Sequence, residues 1–117
     1  MLREVGNARY TKLTGTGTTT LNAGQAASAQ PQVDQGIFYG AVCLAVGTTY
    51  VISVYDMIPP TNNGTNTATT TNLLMNGTCT AIGQQFVAAP VGIGIRYRGA
   101  LVAIQSGTAG QINAVWD

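Results

Sequence analysis

The chain has 117 residues and only nine charged side chains: five cations and four carboxylates, no histidine, and a formal net charge of +1. Charge this sparse excludes a coiled coil, whose helices need ionic e and g positions. It also gives no broad phosphate-binding surface, so no nucleic-acid partner is expected. Hydrophobic residues make up 45%, which excludes charge-driven disorder, and the lack of histidine removes the commonest general base and metal ligand.

Thr, Gly, Asn, Ala and Gln fill the space that charge leaves. Thr and Val suit a pleated, half-buried surface and Gly and Asn suit turns, so the composition points to an all-β chain. The length is that of one domain. Residues 1–12 carry Arg3, Glu4, Arg9 and Lys12 and read as a polar N-terminal arm, with residues 13–117 as the single β-domain. A short strand is expected around 18–21, then a loop over 22–35 with a helical turn near 24–29 as the weaker option. Residues 37–46 are nearly continuously apolar, as in a strand buried on both faces or crossing the middle of a sandwich. Gly47-Thr48-Thr49 reads as a turn. Over 50–56 Tyr50, Ile52 and Val54 share one face and Val51, Ser53 and Tyr55 the other, so the two segments read as a hairpin. Pro59-Pro60 closes it.

Residues 61–72 form a polar Thr/Asn loop. Residues 73–75 make a short strand ended by a tight turn at Asn76-Gly77, and 84–88 another short strand. Over 91–98, Val91, Ile93, Ile95 and Tyr97 alternate with Gly92, Gly94, Arg96 and Arg98, the clearest period of two in the chain. Two last strands, 101–105 and 111–116, flank a hairpin loop at 106–110, and Ile112, Ala114 and Trp116 share a face. About seven or eight short strands with turns between them predict an antiparallel two-sheet sandwich, Ig-like or jelly-roll, with a small closed barrel as the alternative.

Little chemistry is on offer. Cys43 and Cys79 are the two cysteines. One disulfide is possible, but Cys43 sits in the most apolar segment and two free thiols are expected. Glu4, Asp34, Asp56 and Asp117 show no metal-ligand spacing, and Asp56 reads as capping a turn before Pro59. Gly92 and Gly94 match no dinucleotide fingerprint; they suggest close approach of a backbone or a ring on that face. Asn63-Gly64-Thr65 and Asn76-Gly77-Thr78 fit a glycosylation sequon but read as turns. No catalytic, cofactor or metal site is expected, and the chain is not expected to be an enzyme. No apolar run reaches the roughly 20 residues of a membrane span, and Met1-Leu2-Arg3-Glu4 lacks a secretory apolar core, so synthesis in a cytoplasm and no membrane partner are expected.

The run Gly15-Thr16-Gly17-Thr18-Thr19-Thr20, Val54-Tyr55-Asp56, the segment from Val91 to Tyr97 and the end Ala114-Val115-Trp116-Asp117 resemble small virion proteins of tailed bacteriophages, in particular head decoration (cement) proteins. The resemblance implies a structural protein on the capsid exterior, oligomeric, a trimer in many such cases, that bridges subunits of the major capsid protein. Arg3, Glu4, Arg9 and Lys12 in the arm, with the neighbouring pair Arg96 and Arg98, are then the candidate contacts. The competing expectation is a fibre or adhesin module in which Tyr39, Tyr55 or Tyr97 stacks on a host glycan.

Overall fold

The alternation at residues 50–56 becomes a strand with one sealed face: Tyr50, Ile52 and Val54 are 0% exposed, while Val51, Ser53 and Tyr55 are half-buried. Ile112, Ala114 and Trp116 are buried together in the same way. A sheet with one apolar face needs a second layer to cover it, and the chain supplies that layer itself. The structure, a computed structural model, describes residues 9–21, 36–57, 72–87 and 94–117. In them lie nine strands: β1 (Arg9–Thr14), β2 (Gly17–Thr20), β3 (Gly36–Ala45), β4 (Thr48–Met57), β5 (Leu73–Thr78), β6 (Gln85–Val87), β7 (Ile95–Tyr97), β8 (Ala100–Thr108) and β9 (Gln111–Trp116).

The strands form two antiparallel sheets. The first runs β1-β9-β3-β6, with β7 also on β3, and the second runs β2-β8-β4-β5. β1 pairs with β9, β2 with β8, β3 with β6 and β7, and β4 with β5. The chain is thus one long antiparallel ribbon, rolled so that β9 also meets β3 and β8 also meets β4. This is jelly-roll winding, with β7 as an extra short strand that continues the lane of β6 along β3.

The rolled order corrects the expected hairpins. β3 and β4 lie in different sheets, as do β8 and β9. Each of these strands has one sealed face, and folding the chain over a corner buries the two faces against each other. Pairing them side by side would have left both faces pointing the same way. Gly47 makes the first corner at φ +60, and a Cβ there would sit 2.1 Å from the Thr108 carbonyl oxygen. The β3–β4 corner therefore rests directly on the β8–β9 corner, which turns at Ala109 with φ 57.

Asn76-Gly77 is not a turn either; it lies inside β5. Asn76 faces outward and its Nδ2 donates to Ser53 Oγ at 2.7 Å. Gly77 pairs with buried Ile52 and faces inward, where a Cβ would come within 2.3 Å of Phe86 Cδ1. The glycine makes room for the Phe86 ring. At the N-terminus, residues 9–12 are not arm but the start of β1, paired with Asn113–Trp116 of β9. The strand buries one large apolar residue, Leu13, and its two cations make it read as solvent-facing. Residues 1–8 lie outside the described residues, as do the expected loop at 22–35 and all of the expected loop at 61–72 but Asn72. Of the period-two segment 91–98, β7 is the strand found among the described residues, and it starts after Gly94. As the spacing suggested, Gly94 packs closely: at φ +81, a Cβ would meet Ile37 Cγ2 at 2.5 Å, the Phe38 carbonyl oxygen at 2.8 Å and the Tyr39 ring at 3.1 Å.

Gly77→Ala is expected to lower stability by about 1–3 kcal/mol through overpacking. Combining it with Phe86→Leu should cost less than the sum of the two single changes, read from urea unfolding of the four proteins.

Candidate attachment surface

The two ends of the sandwich are built differently. At one end the chain crosses between sheets at residues 15–16, 46–47, 79–84 and 109–110, and these corners bond to one another. The Gly15 N–H donates to the Gly110 carbonyl at 3.3 Å, and the Thr16 hydroxyl bonds the Gly107 carbonyl. The Tyr50 hydroxyl and Gln105 Nε2 both donate to the Gly15 carbonyl, at 2.8 and 3.2 Å.

At the other end the strands stop in register. Arg9, Trp116, Phe38 and Ile95 form one row across the first sheet, and Met57 pairs with Ala100 in the second. Among the described residues, the chain crosses between the sheets at this end at residues 98–99. Asp56, 4% exposed, holds it from the second sheet: Oδ2 accepts from the Arg98 N–H at 2.9 Å and Oδ1 from the Gly99 N–H at 2.8 Å. Asp56 thus does cap a turn, but one 42 residues further along the chain. Nearby, the Tyr97 hydroxyl donates to the Asp117 carbonyl at 2.9 Å, and Ile37 and Asp117 exchange backbone hydrogen bonds at 3.1 and 2.8 Å.

On this open end lie three of the cations picked out in the sequence. Arg96 pairs with Ile37 at one edge of the first sheet, and Arg98 follows it; both side chains are exposed. Arg9 stands at the opposite edge, its guanidinium 5.4 Å from the centre of the Trp116 ring, a cation–π contact. Trp116 is oriented by its Nε1, which donates to Thr11 Oγ1 at 2.9 Å. Three strand spacings, about 14 Å, separate the two edges. Lys12 is exposed on the outer face of β1, opposite Asn113 and nearer the cornered end. Arg3 and Glu4 lie outside the described residues, in the segment that joins β1 at Arg9.

The three tyrosines considered for sugar stacking do not share a surface. Tyr97 is 0% exposed, which removes it from that role. Tyr39 and Tyr55 are half-buried on the outer faces of different sheets. Tyr39 lines a shallow hollow of about 150 Å³ together with Val42, Gln85 and Val115. Among the described residues no group of three or more His, Cys, Asp or Glu side chains is placed to hold a metal ion. Cys43 and Cys79 are free and buried. Burial, together with a hydrogen bond to Cys43 and its charge interaction, pushes the Cys79 thiol up from 9.0 to about 12.

No known protein family, characterised sequence or solved structure matches the chain.

Two outcomes are expected from these contacts. Asp56→Ala leaves two backbone donors without their carboxylate and should cost about 3 kcal/mol in urea unfolding, since each bond to a charged acceptor is worth roughly 1.5–3 kcal/mol. The Cys79 thiol keeps its proton in the folded state at pH values where the unfolded thiol loses it. Stability should therefore be flat through neutral pH and fall as pH rises from 9.0 toward 12. Cys79→Ala should flatten that alkaline slope in pH-dependent unfolding.

Proposed function

We propose that this chain is a non-enzymatic structural protein of a tailed-phage virion, which decorates the capsid exterior and bridges neighbouring subunits of the major capsid protein. The observation that carries the reading is the convergence of Arg9, Arg96 and Arg98 on the open end of the sandwich, where the segment with Arg3 and Glu4 also joins. Guanidiniums with bidentate donors suit docking onto carboxylates of a partner. Placed about 14 Å apart on two sheet edges, they can engage two neighbouring subunits at once. A surface that touches two subunits binds the assembled shell and not the free subunit, and so stabilises the shell by mass action.

The rest of the surface fits a multicopy particle. The outer face of the second sheet carries Val51, Ser53, Tyr55, Val102 and Ile104 and no charged side chain among its described residues. Identical copies can lie side by side there without like-charge repulsion, as a trimer would require. Jelly rolls occur in both capsid and lectin domains, so the fold admits the glycan-binding alternative, and function is argued from the site. The hollow beside Tyr39 is the feature that favours that second reading.

The full chain is expected to co-sediment with assembled shells and not with free capsid subunits. Deleting residues 1–8, or combining Arg96→Glu with Arg98→Glu, should weaken shell binding by at least about tenfold, or 1.4 kcal/mol, with the far-ultraviolet circular dichroism unchanged. Full decoration by both variants would refute the attachment surface. Glycan-array binding that Tyr39→Ala abolishes, with no binding to shells, would establish the adhesin reading instead.

A further inference from the structure

The two cysteines of the chain are 36 positions apart in sequence and come together in the core. Cys43 lies on β3 in the first sheet and is 0% exposed; Cys79 follows β5 of the second sheet and is 3% exposed. The segment from 79 to 84 carries the chain from one sheet to the other and is pinned at both ends. The Cys79 N–H donates to the Tyr50 carbonyl at 2.9 Å, the Cys43 N–H to the Gln84 carbonyl at 2.8 Å, and the Gly83 N–H to the Cys43 carbonyl at 2.8 Å. Gln84 Oε1 braces the turn from within, accepting from the Thr80 N–H at 2.7 Å and the Thr80 hydroxyl at 3.0 Å. Held this way, Cys79 and Cys43 belong to one buried cluster, and Cys43 Sγ donates to the Ala45 carbonyl at 3.5 Å. A solitary buried cysteine is an ordinary small core residue. Two thiols in one buried cluster, one from each layer and both pinned by the hydrogen bonds of the same turn, are the natural pair for a cross-link.

We propose that Cys43 and Cys79 form a latent inter-sheet disulfide, which closes when the folded chain leaves a reducing compartment and meets a small-molecule disulfide such as oxidised glutathione. The chemistry is two successive thiol–disulfide exchanges. One cysteine thiolate attacks a glutathione sulfur, forms a mixed disulfide and expels a glutathione thiolate. The second cysteine thiolate attacks the protein sulfur of that mixed disulfide and expels the second glutathione. The protein gives up two electrons and two protons, and one oxidised glutathione becomes two reduced molecules.

Closure needs access. Burial keeps both thiols out of reach in the closed fold, so the pair reacts through opening of the 79–84 turn. Ile82, at the tip of that turn, is 76% exposed, which places the opening segment at the surface. Opening of such a local unit is the low-energy route by which a buried group meets solvent. Once formed, the bond ties the first sheet to the second beside the Phe86–Gly77 contact and closes a long loop of the unfolded chain. The inference stands on the shared burial of the two cysteines and on the pinned 79–84 turn, and holds whether or not the chain decorates capsids.

The test uses the full chain, purified reduced and incubated with oxidised glutathione, then read by thiol titration, non-reducing peptide mapping and thermal unfolding. Both thiols should disappear together, one cross-linked peptide should contain Cys43 and Cys79, and Tm should rise by roughly 10 °C, reversibly with a reductant. Adding urea below the unfolding midpoint should speed closure several-fold. Cys43→Ala and Cys79→Ala should each show no oxidant-dependent Tm shift; if either variant fails to fold, the peptide map of the unaltered chain decides. Glutathione retained on a single cysteine, disulfide-linked dimers, or two free thiols after refolding in the presence of oxidised glutathione would each overturn the proposal.

Discussion

The Tyr50 hydroxyl sits where three corners of the chain meet, and the jelly roll depends on what it does there. A roll of this kind changes sheets at corner after corner, and each corner takes backbone groups out of their ladders. Buried and unpaired, such groups would be costly. Tyr50, fully buried on β4, donates to the Gly15 carbonyl in the β1–β2 corner. Gln105 from β8 donates to the same carbonyl and to the Tyr50 hydroxyl at 3.4 Å, and its Oε1 accepts from Thr19 of β2 at 3.1 Å. Gly110 has no side chain at a position where a Cβ would lie 2.0 Å from Tyr50 Cγ. One aromatic ring therefore locks the β1–β2, β3–β4 and β8–β9 corners in a fixed relation. The two inner faces are held at packing distance along the whole sandwich as a result, and no buried side-chain nitrogen or oxygen among the described residues lacks a partner.

The opposite end is secured differently, and the difference bears on function. There Asp56 and the Ile37–Asp117 pair hold backbone groups from inside, and the side chains of Arg9, Arg96 and Arg98 are left on the outside. Rigidity at the cornered end thus supports a surface at the open end that is free to specialise. This division is common where a scaffold positions binding residues on its connections. The near-neutral faces between the ends complete the pattern, since they leave direction to the few charges that exist.

Much of this was legible in the residues. The sealed faces of β4 and β9 follow from alternation, and the outward pair Arg96 and Arg98 follows from the buried Tyr97 between them. The close packing at Gly94 follows from a glycine on an apolar strand edge. Other features gave misleading local signals. Asn76-Gly77 has the composition of a tight turn, yet the missing side chain serves the Phe86 ring from the neighbouring layer. β1 looks like a solvated arm because its burial rests on Leu13 and on Thr11 meeting Trp116, a contact across 105 positions. The core likewise gathers Cys43 and Cys79 into one buried cluster from two segments that nothing in their local sequence relates.

The sequence by itself determined the class of structure and the inner face of most strands, because a period of two is a local property that each segment carries alone. It also determined that charge would be scarce and unevenly placed. Which sheet each strand joins, and so whether a turn becomes a hairpin or a corner, was decided by tertiary structure. The same Gly47 corner could serve either arrangement. The choice falls to the sealed faces, which are buried at once when the chain folds over and only partly when it folds alongside.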